Sequence, residues 1–275
     1  MKVYTKWGVT FSLLLISGSH LFCQSIITAQ DHGTNYSGGW LNGSNGGTGF
    51  QPWNIWSSSG TGGNGGSFKG NPASAGIAGM ATESFGLYAN PSGSGASADA
   101  ERSLNNVLAI GQTLSFQWGI NYDSGSSGNK GFSLYSGGVE IFNINNGGSS
   151  VISCNGTNVG FGYGTNVMTW SFMRLNANTI SVSANDRDGI GNFSTNVVVS
   201  NGAVDKIKFY AFSLQAGDAA QPYFNNLRVT EPVASSMAVP GDHAFLGSWS
   251  ADGGNGTGMT QSSNPATPNL WTSYF

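Results

Sequence analysis

The feature that most constrains this chain is a series of short runs in which apolar and polar residues alternate, each ended by a cluster of Gly, Asn and Ser. Leu114, Phe116, Trp118 and Ile120 alternate with Ser115, Gln117 and Gly119, the period of a strand with one buried face. The stretch KGFSLYSGGVEIFNINNGG sets two more such runs on either side of Gly137-Gly138, a pair free to take the positive φ of a hairpin turn. VMTWSFMRLNANTISVSAND repeats the pattern, with Trp170 and Phe172 on one strand, Asn176-Ala177-Asn178 as the turn, and Ile180, Val182 and Ala184 on the next. DKIKFYAFSLQ and PYFNNLRVT close the set. No segment sustains a helical period over several turns.

So many short strands in one domain predict an all-β fold, a two-sheet antiparallel sandwich. The 43 glycines lack the three-residue period of a collagen helix. Residues 57–67 read as a locally disordered Gly/Ser/Asn tract, but an aromatic content of 12% excludes disorder of the whole chain. An apolar content of 39% over 275 residues is enough to fill a core. Charged residues make up only 8% and the net charge is -3, a balance that points away from nucleic acid and anionic membranes and towards neutral ligands.

Lys2 and Lys6 precede an apolar stretch over residues 7–22 that Ser and Gly interrupt and that is too short to span a bilayer. Residues 1–29 therefore read as a cleavable signal segment, with Ile27-Thr28-Ala29 as the cleavage site before Gln30. The expected location is secreted or cell-surface, with no membrane span. Cys23 raises a lipid-anchor reading, but Phe22 stands where a small residue is required. A mature chain would retain Cys154 alone, so no internal disulfide is expected.

The strand order, the TWSFMRLNANTISVSAND hairpin and the closing YFNNLRV resemble the concanavalin-like and laminin-G-like jelly rolls. NYSGGWLNGSNGGTGFQPWNIW resembles the opening of modules found in secreted bacterial carbohydrate-active proteins. The resemblance covers most of residues 30–232. It implies a jelly-roll β-sandwich whose last strand pairs near the first, with a structural calcium ion often tying the two regions together. The matching positions are Asp31 and Asn35 at the start and Asn225 or Asn226 near the end. Calcium takes about six to eight oxygens, preferably with carboxylates among them. This set has one carboxylate, and the same residues also read as ordinary turn formers. No other cofactor is expected.

Glycosidic bond hydrolysis usually needs two carboxyl groups facing each other across the sugar. Asp186 and Asp188 have the spacing for one strand face, but they lie between Asn185 and Gly189 at a strand end, where a turn needs those residue types. The ExDxxE pattern of jelly-roll glucanases is absent, and Glu83, Asp99, Glu101, Asp123 and Glu140 show no pairing along the chain. His32 and His243 are far apart and make neither a metal cluster nor a triad. GTGGNGG is not followed by Lys-Ser/Thr and does not open a helix. The expectation is a non-catalytic domain, with no catalytic residues.

Binding is the better reading. Neutral polysaccharide is held by aromatic faces stacked on sugar rings, with amides and oxygens selecting hydroxyls. Trp118 and Trp170 sit in alternating runs and read as core. Trp40, Trp53 and Trp56 lie in Gly/Asn-rich sequence and have two readings, a glycan platform or an aromatic cap on the end of the sandwich. The alternative from another class is a structural or adhesive surface domain that binds no glycan.

After residue 232 the sequence changes character. Val239-Pro240-Gly241, Leu246-Gly247-Ser248-Trp249, Gly258-Met259 and Leu270-Trp271 resemble the opening of starch-binding modules. That resemblance implies Trp249 and Trp271 as α-glucan contacts. Two or three strands do not make a stable sandwich. Residues 233–275 are therefore expected to be a linker and an incomplete module, with the chain forming the N-terminal part of a longer multimodular protein. The other reading is a true C-terminus whose aromatics pack on the first domain.

Overall fold

Among the described residues, period-two alternation resolves into fifteen strands in the first compact unit, which extends to Val233. In chain order they are β1 (Ser25–Asp31), β2 (Asn54–Ser58), β3 (Asn64–Gly70), β4 (Ser84–Asn90), β5 (Ser97–Ser103), β6 (Thr113–Gly119), β7 (Asn129–Ser136) and β8 (Val139–Asn146). There follow β9 (Val151–Cys154), β10 (Thr157–Gly162), β11 (Met168–Arg174), β12 (Thr179–Asp186), β13 (Asn192–Val198), β14 (Lys206–Phe212) and β15 (Tyr223–Pro232). The structure, a computed structural model, describes residues 25–121, 128–147, 151–162, 166–186, 191–232, 259–261 and 271–273. Among these, helix is limited to 3-10 turns at Gly33–Asn35, Pro72–Ala75 and Asp218–Ala220.

The strands form two antiparallel sheets of a jelly-roll sandwich. An eight-stranded sheet runs β13-β12-β11-β6-β15-β4-β3, with β1 also on β15, and a seven-stranded sheet runs β10-β9-β8-β7-β14-β5-β2. The pairing of β1 with β15, from Ser25 opposite Pro232 to Asp31 opposite Leu227, brings the start and end of the domain together as the jelly-roll resemblance implies.

The core lies between the inner faces. Leu114, Phe116 and Trp118 of β6 and Trp170 and Phe172 of β11 are buried in one sheet, and Phe132 and Leu134 of β7 and Ile207 and Phe209 of β14 are buried in the other. Phe209 and Phe224 stack across the interface with ring centroids 3.8 Å apart and planes 5° apart. Phe116 meets both Phe132 and Phe209 edge-on at 4.8 and 5.2 Å. Such aromatic pairs contribute about 0.5–1.5 kcal/mol each beyond their buried area. The β7–β8 turn is made by Gly137 and Gly138, at φ of 59° and 80°.

Two regions differ from the sequence reading. The tract 57–67 is not disordered, since it contains the end of β2 and the start of β3, which pair with β5 and β4. Neighbouring strands supply the order that local composition lacks. The expected cleavage point between Ala29 and Gln30 falls within β1, where Ala29 is buried, so a cut there would remove Ser25 to Ala29 from the ladder with β15. Residues 1–24 lie outside the described residues.

A second unit comprises residues Ala234–Phe275. In it β16 (Met259–Gln261) and β17 (Trp271–Ser273) form a short antiparallel pair, with Met259 opposite Ser273 and Gln261 opposite Trp271. Met259 and Trp271, from the two starch-module-like steps, are the first residues of these strands.

Candidate functional site

Strand β5 carries charge to both of its faces. Ala98, Ala100 and Arg102 point into the sandwich, and Asp99 and Glu101 point out. The two faces lead to two different polar sites.

Inside, Arg102 is fully buried and pairs with the Asp31 carboxylate at 2.9 Å. Asp31 Oδ2 also accepts from the Tyr36 hydroxyl at 2.7 Å and the Trp53 indole N–H at 3.0 Å, and Oδ1 accepts from Asn35 Nδ2 at 3.3 Å. Arg102 donates further to the Asn45 carbonyl oxygen at 2.7 Å and to the Gln51 backbone carbonyl, and its guanidinium lies 5.1 Å from the Trp53 ring centroid. Burial lowers the Arg102 pKa, opposed by the Asp31 charge. Tyr36 is pushed up to about 12, by burial first and then by its hydrogen bond to Asp31.

This arrangement corrects the calcium reading. Asp31 has its countercharge in Arg102, and Asn35 serves the same carboxylate. Asn225 is fully engaged: its carbonyl oxygen accepts from Gly33 N at 3.0 Å and Asn226 N at 2.9 Å, and its amide donates to Glu83 O at 3.1 Å and Ser84 Oγ at 2.9 Å. Asn226 takes a positive φ of 55° at the register shift in β15. These residues do not fit a calcium ion, and no cluster of His, Cys, Asp and Glu among the described residues could hold a metal.

The same corner corrects two of the tryptophans. Trp40 and Trp53 are 3% and 1% exposed and pack edge-on against each other at 5.1 Å, with Phe85 and Phe224 beside them. Neither has a free face for a sugar. They are the aromatic cap, held in place because the Asp31–Arg102 pair folds the 31–53 segment over the sheet edge.

Trp56 is different. It is 48% exposed on β2, opposite Asp99 in the ladder, and so on the outer face of the seven-stranded sheet. Next across that face come Tyr210 on β14 and then Gly131 on β7. The neighbouring row runs Asn54, Glu101, Lys208, Ser133 and Asn143 across β2, β5, β14, β7 and β8. The face encloses a cleft of about 260 Å³ whose lining includes Asp99, Lys208, Tyr210 and the half-exposed Phe212, with Ser97, Ser133, Asn143 and Glu140. That is just below the usual range of about 300–1,000 Å³ for ligand clefts. Gly131 keeps the floor open to Tyr210, because a Cβ there would lie 2.6 Å from the Tyr210 hydroxyl and closer still to the Ile144 carbonyl.

Hydrogen bonds hold the polar floor. Asn143 Nδ2 donates to Ser133 Oγ and to the Tyr210 hydroxyl, each at 3.1 Å, and the Tyr210 hydroxyl lies 3.0 Å from the Ile144 carbonyl. Burial raises the Tyr210 pKa to about 12, so it remains a neutral phenol. Lys206 pairs with Glu101 at 3.1 Å. Burial works against the charge on Lys208, but the Tyr135 hydroxyl and the Asp99 and Glu140 carboxylates outweigh it and raise its pKa.

Asp99 stands apart from these satisfied groups. It is only 8% exposed, yet no ion pair or side-chain hydrogen bond within the described residues involves its carboxylate. Burial raises its pKa to about 6, with Lys208 pulling down and Glu101 pushing up.

Asp99, Glu101 and Glu140 show no pairing along the chain; the sheet brings them to one face. The alternation of SADAERS and KIKFYAF already separates an inner row from Asp99, Glu101, Lys206, Lys208 and Tyr210, but which strands adjoin is a matter of long-range pairing. Of the remaining expected residues, Trp249 lies outside the described residues and Trp271 is the first residue of β17. Arg187 and Asp188 also lie outside them, and Asp186 ends β12.

No protein-family model and no curated protein matches the sequence. Solved structures do show likeness. A carbohydrate esterase from Shiga toxin-encoding bacteriophage phi24B is 13% identical at a TM-score of 0.41, covering 66% of this chain and 91% of that one. The botulinum neurotoxin serotype D binding domain is 10% identical at a TM-score of 0.36, over 66% of this chain. This chain spans only 44% of the length of that structure. An alginate lyase from Klebsiella pneumoniae is 11% identical at a TM-score of 0.37, covering 56% of this chain and 83% of that one. These likenesses concern the fold alone. They correct one expectation: structures of this likeness include enzymes, an esterase and alginate lyases, so the expectation of a non-catalytic domain is withdrawn.

Proposed function

We propose that the domain of residues 25–232 belongs to an exported protein and binds a glycan in the cleft on the outer face of its seven-stranded sheet. The observation that carries this reading is that an exposed Trp56, outside the cleft lining but opposite Asp99 in the ladder, shares one open sheet face with a cleft floored by hydroxyl, amide and carboxylate groups. Aromatic faces supply stacking area and the polar groups supply hydroxyl recognition, which is what a sugar ring requires. The low overall charge agrees with a neutral ligand. The resemblance of residues 237–275 to starch-binding modules makes an α-glucan the first ligand to try, with Trp249 and Trp271 as its contacts in that segment.

Electrophoresis of the full chain and of Trp56→Ala in gels containing soluble α-glucans or β-glucans tests the reading. Retardation of the wild type that is lost in the variant is expected. Equal migration of both in every gel would remove the cleft as a glycan site.

A second reading is favoured by the Asp99 carboxyl itself. With a pKa near 6 it can give or take a proton at neutral pH, and Glu101 lies two residues on along the same face, about 7 Å away between Cα atoms by strand rise. Release of reducing ends from a glycan panel, abolished in Asp99→Asn, would establish hydrolysis there.

A further inference from the structure

Every other polar group on the cleft floor has its partner inside the protein. Tyr210, Asn143 and Ser133 bond one another, Glu101 is taken by Lys206, and Glu140 lies 3.3 Å from the Tyr135 hydroxyl. Asp99 is shielded from water to more than nine-tenths and has none. Lys208 is its diagonal neighbour on β14, because Tyr210 stands opposite Asp99 and Lys208 opposite Glu101. Diagonal pairs sit about 7–8 Å apart, and these two make no ion pair. An acceptor that opens to solvent only at the cleft and an ammonium are thus held a short distance apart along the cleft lining.

We infer that Asp99 and Lys208 together read a vicinal diol: one ligand hydroxyl donates to the Asp99 carboxylate and its neighbour accepts from the Lys208 ammonium. The ligand class that follows is a neutral sugar with free adjacent hydroxyls. A uronate or sulfated sugar would bring a second anion against Asp99, with Glu101 and Glu140 on the same face. This rests on the glycan-binding reading above and deepens it.

Occupancy would be pH-dependent. The groups facing Asp99 are Glu101 on its own strand, Lys208, Lys206 and Tyr210 on β14, Tyr135 on β7, Glu140 on β8 and the uncharged Trp56 on β2. Burial moves the Asp99 carboxyl towards neutrality. A carboxylate accepts more strongly than its protonated form, so affinity is expected to fall as pH drops from 7 to 5, with protons released on binding near pH 6.

The test is titration calorimetry of the full chain with a soluble α-glucan oligosaccharide at pH 5, 6 and 7, in buffers of differing ionisation enthalpy. The same oligosaccharide after periodate cleavage and borohydride reduction, and a polyuronate, serve as controls. Expected are binding of the intact neutral glucan only, a loss of about tenfold or more in Asp99→Asn and Lys208→Gln, and a flat pH profile in Asp99→Asn. Melting temperatures confirm that the variants fold. If Trp56→Ala loses binding while Asp99→Asn matches the wild type at every pH, the diol inference fails and the glycan reading stands. Preference for the polyuronate or for the cleaved glucan also overturns the inference. If the wild type does not bind, or Trp56→Ala binds as well as it does, the cleft reading and the inference fall together.

Discussion

Strand β5 presents a buried charge on each side, and the two are treated differently. Arg102, on the inner side, meets Asp31, Asn45 and Gln51 and lies over the faces of Phe50 and Trp53. Asp99, on the outer side, is almost as well shielded, feels Lys208 and Glu101 only at a distance, and has no ion pair or side-chain hydrogen bond among the described residues. Burying a charge is costly unless it is paired, so a pair that closes on itself belongs to the architecture. A lone carboxylate at the floor of an open cleft is instead, on the proposed reading, a group whose partner comes from outside. The difference separates the corner that holds the fold together from the face proposed as the binding site.

The largest effect expected from this comparison is on the closed side. Arg102→Met leaves Asp31 buried without its countercharge and should destabilise the domain by about 3–5 kcal/mol, read as a fall in thermal midpoint or in denaturant midpoint. Replacing both partners, as Asp31→Leu with Arg102→Met, should recover much of that loss. If the single variant melts like the wild type, the corner is not what holds residues 31–53 to the sheet.

The first strand gives a smaller effect. A chain beginning at Gln30 lacks the ladder from Ser25, opposite Pro232, through Ala29, opposite Val229. It should be less stable than one beginning at Ser25 by about 1–3 kcal/mol, measured by urea unfolding. Equal stability would show that the outer part of β1 adds nothing and that processing before Gln30 is compatible with the fold.

On the open side the sign reverses. An unfolded Asp titrates near 3.9, and Asp99 in the folded state near 6. The folded state therefore holds this proton more tightly. At and below about pH 4 the two states are protonated to nearly the same extent and the site costs little; between about pH 4 and 6 the unfolded state ionises while the folded state keeps its proton, and stability is lost. Asp99→Asn should accordingly be more stable than the wild type above pH 6, by something on the order of 2 kcal/mol, and equal to it at pH 4. Melting curves across that range check it, and a constant difference would mean that Asp99 has a partner after all. Smallest of all, Trp56→Ala should change stability by less than about 1 kcal/mol while removing glycan binding, because half of that side chain is already in solvent.

Much of the sandwich was legible along the chain because its signal is local. The β7–β8 hairpin, the β11–β12 hairpin and the inward positions of Trp118 and Trp170 all follow from alternation and turn residues. The tract 57–67 was misread because β2 and β3 are ordered by β5 and β4, partners that composition does not reveal. The site was harder for the same reason. Asp99 and Lys208 are more than a hundred positions apart and become neighbours only through the pairing of β5 with β14. Trp40 and Trp53 looked available because their surroundings are rich in Gly and Asn, yet a long-range ion pair folds that segment inwards.

The central claim is that ligand meets this protein on the outer face of the seven-stranded sheet. Hydroxyl-radical footprinting of the full chain, with and without the glycan that retards it in gels, tests it most directly. The account requires protection of Trp56, Phe212 and Tyr135, with Leu41 and Val198 unchanged. Protection confined to other side chains, with Trp56 and Phe212 oxidised equally in both samples, would contradict it.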